Sequence, residues 1–123
     1  MAKAIYVRFE MPTDLAEKVY QLVELSSDTG RVAKGTNEVT KKVERGEAAL
    51  VIMAEDVAPP EIVAHLPILC EEKNIAFAYV PSKQELGVVS GLKKPTASVA
   101  VQDAGTAKAM LSEIVEAVTK LRK

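Results

Sequence analysis

The sequence predicts an α/β fold, a single-domain three-layer α/β/α sandwich with a small central mixed sheet. Segments whose apolar residues recur at helical spacing alternate with short apolar runs of strand length. One of those runs, Ala48 to Ala54, is continuous, as a strand covered on both faces must be. The size agrees, because 123 residues with 48% hydrophobic and 27% charged composition suit one core and one domain over residues 1–123.

Each element has its own signal. Leu15, Val19, Leu22 and Val23 follow Pro12-Thr13-Asp14 at helical spacing, which predicts a helix from Pro12 to about Ser27 that stops at Gly30. Arg31 to Lys34 reads as a short strand. Thr36 is expected to cap a second helix with Val39 and Val43 inward and an end at Gly46. Pro59-Pro60 suits the first turn of a third helix, whose stripe Ile62, Leu66, Leu69 and Cys70 runs on to Lys73-Asn74. Ile75 to Val80 is the next strand. Ser82-Lys83-Gln84-Glu85 matches a capping box for a short fourth helix that breaks between Gly87 and Gly91. Thr96 to Val101 reads as the last strand. Asp103 then caps a long final helix carrying Met110, Leu111, Ile114, Val115, Val118 and Leu121.

Composition narrows the function. The apolar run at 48–54 is far too short to span a membrane, and the amino terminus carries no signal segment, so a cytoplasmic protein without membrane contact is expected. A lone cysteine, Cys70, and a lone histidine, His65, leave no disulfide and little material for a metal or cofactor; none is expected. The net charge is −1, yet the stretch Arg31 to Arg45 stands at +3, Lys83 to Lys94 at +2 and the remainder at −6. Two basic segments on an acidic background point to a confined anion site rather than a generally sticky surface.

Glu55 and Asp56 follow the buried strand, where catalytic carboxylates emerge in open α/β sheets, so a nuclease-like enzyme is one reading and a solvated strand end the other. No nucleophile accompanies them, and Gly87 to Gly91 has neither the dinucleotide nor the Lys-containing phosphate-loop spacing. His65 and Cys70 read as helix packing, and Met53 and Met110 as core. The segment from Gly35 to Gly46 is different. Asn37 and Lys41 at i, i+4 and Glu38 and Lys41 at i, i+3 put an amide, a carboxylate and an ammonium on one exposed patch at a helix amino end. The helix dipole and free amides there favour a phosphate, while the side chains offer donors and an acceptor to a base edge. A capped helix with a surface ion pair is the plain alternative.

The run Gly35-Thr36-Asn37-Glu38-Val39-Thr40-Lys41 closely resembles the archaeal ribosomal protein L-seven-Ae family. So do Ala54-Glu55-Asp56-Val57 with Glu61 to Pro67, and Val80-Pro81-Ser82-Lys83 with Leu86-Gly87. The resemblance covers essentially the whole chain. It implies a nonenzymatic protein that binds kink-turns in ribosomal RNA, in box C/D and box H/ACA guide RNAs and in ribonuclease P RNA, alongside other ribonucleoprotein core proteins. It implies that Glu38 accepts from guanine N1 in a sheared G·A pair, that Asn37 and Lys41 donate to O6 and N7, and that Arg45 holds a phosphate. It further implies that Leu92 covers unpaired bases while Lys93 and Lys94 reach phosphates, and that Ile62 and Lys83 line a pocket for a flipped-out nucleotide. Ala58 departs from the acidic residue common at its position in the family. A protein scaffold using the acidic face remains as a third reading.

Overall fold

The structure, a computed structural model, describes residues 5–122. Its elements in chain order are α1 (Thr13–Thr29), β1 (Arg31–Lys34), α2 (Thr36–Glu44), β2 (Leu50–Ala54), α3 (His65–Lys73), β3 (Ala76–Val80), α4 (Lys83–Val89), β4 (Ser98–Asp103) and α5 (Lys108–Arg122). Short 3-10 turns precede α3 at Pro60–Ile62 and α5 at Gly105–Ala107. The sheet order is β1-β4-β2-β3. β2 and β3 run parallel, and β4 runs antiparallel to both of its neighbours, with Lys34 opposite Val99 and Met53 opposite Ser98.

Helices cover both faces. α2 packs on α3 and on β1 and β4, whereas α1 packs on α4, on α5 and on the sheet. Every residue of β2 is buried, which two helical layers on opposite faces achieve and one layer cannot. The continuous apolar run at 48–54 therefore has the expected cause, although pairing begins only at Leu50.

Four elements depart from the sequence reading, each for a local reason. The third helix does not run unbroken from Pro59. Pro67 lacks the N–H that would bond Val63 and its ring would clash with that carbonyl, so α3 starts at His65, where Pro67 falls in the first turn and no bond is lost. Ile62 consequently leaves the apolar stripe and is 43% exposed. Thr36 is the first helical residue rather than the cap. The chain turns at Gly35 with φ +89°, and the Gly35 carbonyl accepts from Val39 N–H at 2.9 Å. Strand β4 is displaced two residues toward the carboxyl end, because Thr96 is held in the preceding loop, donating its N–H to the Lys83 carbonyl and its hydroxyl to the Ser98 carbonyl. At the other end of β4, Asp103 accepts from Gly105 N–H at 2.9 Å and shapes the 3-10 turn before α5 instead of capping that helix.

The segment before α1, to which the sequence reading assigns no element, is anchored in the core. Tyr6 donates to the Ala54 carbonyl at 2.6 Å and accepts from Val57 N–H, while Tyr79 donates to the Tyr6 carbonyl at 2.6 Å and accepts from Arg8 N–H. Phe9 and Phe77 join these two rings in one cluster. Burial pushes the Tyr79 hydroxyl up to about 12, since the loss of water outweighs what the Arg8 backbone N–H and charge give back to a phenolate there.

Candidate functional site

The strand directions assemble one end of the sheet. With β4 antiparallel to β1 and β2, and β3 parallel to β2, the carboxyl ends of β1, β2 and β3 meet the amino end of β4. The chain segments that leave or enter there are Gly35 with the start of α2, residues 55–62, residues 81–83 and the loop 90–97. Loops at the carboxyl ends of strands form the usual binding edge of open α/β sheets.

Hydrogen bonds lock these segments together. Gly35 N–H donates to the Ser98 carbonyl at 3.0 Å, and the Thr36 and Ser98 hydroxyls lie 3.1 Å apart. Ala54 N–H donates to Ala97, and Lys83 N–H donates to the Asp56 carboxylate at 2.9 Å. Leu92 N–H donates to the Gly87 carbonyl at 3.0 Å, and a Cβ on Gly87 would collide with the Lys94 carbonyl, so the 92–94 loop lies directly on α4. At Gly35 a Cβ would meet nothing within 4 Å, which leaves the amino end of α2 open to a ligand.

On α2, Val39 and Val43 are fully buried, and Asn37, Glu38 and Lys41 stand exposed as their spacing requires. Lys41 Nζ lies 3.6 Å from Glu38 Oε1, a loose exposed pair worth little and easily opened. Asn37 and Lys41 share an open cleft of about 580 Å³ with Thr36, Thr40, Ile62 and His65. Thr40 and His65 were not among the expected site residues. The Thr40 hydroxyl donates to the Thr36 carbonyl at 2.7 Å and lies 2.8 Å from His65 Nε2, which makes Nε2 the donor of that second bond and ties α3 to α2. A polar residue at i+4 from Thr36 was the available signal for Thr40. Nothing local to the sequence paired it with His65.

Leu92 is half-exposed and Lys93 and Lys94 are exposed, with Lys93 in the left-handed region at φ +64°. Lys83 is half-buried, held through its backbone between Asp56 and Thr96. Arg45 stands apart from this set. It sits at the opposite end of α2, in a groove with Arg31, Lys42, Glu47, Gln102 and Asp103. The carboxylates at 55 and 56 do not converge, since Asp56 accepts from Lys83 while Glu55 lines a separate cavity with Glu17, Tyr20 and Pro81. Among the described residues no cluster of His, Cys, Asp and Glu could hold a metal ion, and no helix is long and apolar enough to cross a membrane. Cys70 is fully buried, and desolvation pushes its thiol up to about 12.

The model of the ribosomal protein L7Ae/L30e/S12e/Gadd45 family matches residues 17–111. The chain belongs to that family. It is a family of ribosomal and RNA-binding proteins rather than of enzymes. A solved structure described as the Giardia lamblia 15.5kD RNA binding protein superposes with a TM-score of 0.84 at 33% identity, over 96% of each chain. The α/β architecture seen here is thus the one shared with this family member.

Proposed function

We propose that this chain is an RNA-binding core protein of ribonucleoprotein particles that recognises and stabilises kink-turns. The observation that carries the reading is the meeting, at one end of the sheet, of the Asn37, Glu38 and Lys41 patch and the Leu92 to Lys94 loop. The solved relative described as an RNA binding protein supports it. A sheared G·A pair leaves the guanine's N1 donor and O6 acceptor accessible. Glu38 accepts from N1, and Asn37 and Lys41 donate to O6 and N7. A carboxylate repels phosphate, so Glu38 in a basic patch is best used on a base. Gly35 and Thr36 bring the open amides of α2 to the backbone.

The second contact comes from the loop. Leu92 gives an apolar platform to the unpaired bases, Lys93 and Lys94 hold phosphates, and the cleft beside Ile62 takes the flipped-out nucleotide, with Lys83 reaching it from the 81–83 segment although it is not part of the cleft's lining. Ala58 is exposed and brings no carboxylate to that pocket. The targets in this reading are ribosomal RNA, box C/D and H/ACA guide RNAs and ribonuclease P RNA, with the particles' other core proteins as partners and no metal or catalytic step. Sequencing of RNA crosslinked to the protein in cells tests it. Enrichment of helices interrupted by a short bulge beside G·A pairs is expected, and an RNA population without that motif would refute the reading.

A further inference from the structure

The groove at the far end of α2 has a charge arrangement the cleft does not explain. Arg31 at the start of β1 and Lys42 and Arg45 at the end of α2 line one open space of about 600 Å³ with Glu47, Gln102 and Asp103. Each carboxylate has one partner. Asp103 accepts from Gly105 N–H, and Glu47 lies 3.5 Å from Lys42 Nζ. Arg31 and Arg45 have no carboxylate partner among the described residues. Lys42 and Arg45 have a structural reason to be there, since cations favour a helix carboxyl end. Arg31 stands opposite Asp103 in the β1–β4 register, yet makes no ion pair with it among the described residues. Two guanidiniums sharing a groove repel each other, and their flat donor forks suit phosphate oxygens.

We propose that this groove is a second RNA contact, a track for the phosphates of a duplex stem extending away from the kink. The proposal rests on the RNA reading of the cleft and adds a contact that reads no base. Nine helical residues separate the ends of α2, so the groove lies about 13 Å from Gly35, too far for the nucleotides in the cleft to reach and near enough for the same strand to continue into it. Lys42, half-buried and only loosely paired with Glu47 at 3.5 Å, can turn to the backbone as well. The expected consequence is that affinity depends on stem length.

The test uses the variant Arg31→Ala/Lys42→Ala and two RNAs that carry the same G·A motif, one with long stems and one trimmed to the few pairs that hold the motif closed. The variant should bind the long-stem RNA roughly tenfold more weakly than the parent, with a salt slope lower by about two units, and should bind the trimmed RNA as the parent does. Equal losses on both RNAs, or no loss on either, would overturn the proposal; an acidic protein segment as the true occupant gives the second result. A parent protein that cannot tell motif-bearing RNA from a perfect duplex would refute the kink-turn reading itself and this groove with it.

Discussion

Gly87→Ala is the perturbation whose sign the structure decides. In a helix interior alanine is favoured over glycine by about 1 kcal/mol, so propensity alone predicts a more stable protein. A Cβ at 87, however, would fall on the Lys94 carbonyl oxygen, 2.8 Å from its carbon and 3.2 Å from Pro95 Cα. Backbone atoms prefer roughly 3.5 Å or more, so the 92–95 loop has to lift by on the order of 1 Å. Overpacking of this kind costs ~1 to 3 kcal/mol, and the Leu92 to Gly87 hydrogen bond that ties the loop down loses up to about 1 kcal/mol more. The lost bond and the gained propensity roughly cancel, so the net effect is a loss of ~1 to 3 kcal/mol, about 4 to 12 °C in Tm for a domain of this size. Thermal unfolding by circular dichroism measures it. The displaced lysines should also weaken binding of a kink-turn RNA in a parallel titration. A raised Tm with unchanged affinity would show that the loop is not seated on α4 and that its position does not matter to the site.

Replacing Glu38 with Gln should weaken RNA binding by ~1 to 3 kcal/mol at unchanged salt slope, whereas Arg45→Ala should lower the slope by about one unit; titrations at several salt concentrations separate a base contact from a phosphate contact. Stability should hold as pH rises to about 9 and then fall toward about 12, because Cys70 and Tyr79 are both pushed up to about 12 by burial and keep their protons in the native state after the unfolded chain has released them. Urea midpoints across that range check the sign, and a flat profile would contradict the burial of Tyr79. Cys70, fully buried with its thiol pushed up to about 12, should react with a thiol reagent only at the rate of unfolding, while Cys70→Ala should leave RNA affinity within a few-fold of the parent.

The α2 patch was legible because its signal is local: Val39 and Val43 fix which way the helix faces, and Asn37, Glu38 and Lys41 then have one place to go. The layered α/β order was legible for the same reason, from periods and punctuation. What escaped depended on contacts between distant segments. Tyr6 is buried by hydrogen bonds to Ala54 and Tyr79 and Phe9 by ring contact with Phe77 and Tyr79, all 48 and more residues away. His65 was assigned to helix packing, but its role as a polar strut across the cleft needs Thr40 from another helix. Arg45 is one turn from Lys41 in sequence, yet the end of α2 delivers it to Arg31 instead of to the cleft. The break before α3 was in principle readable, since Pro67 excludes a helix already under way at Val63.

In the proposed kink-turn function the α2 patch and the 92–94 loop together hold a bent RNA. Free RNA at low magnesium should be mostly extended through phosphate repulsion. If ~1% is kinked, selecting that state weakens the apparent affinity about a hundredfold, or ~2.7 kcal/mol, well within the ~12 kcal/mol of a nanomolar complex. Energy transfer between dyes on the two arms of a kink-turn RNA, recorded in chelator as the protein is added, reads this directly. Transfer should jump to a high value at stoichiometric protein, and inverting the G·A pairs or replacing Glu38 should remove the jump at the same concentrations. Tight binding with the arms still extended would contradict the account.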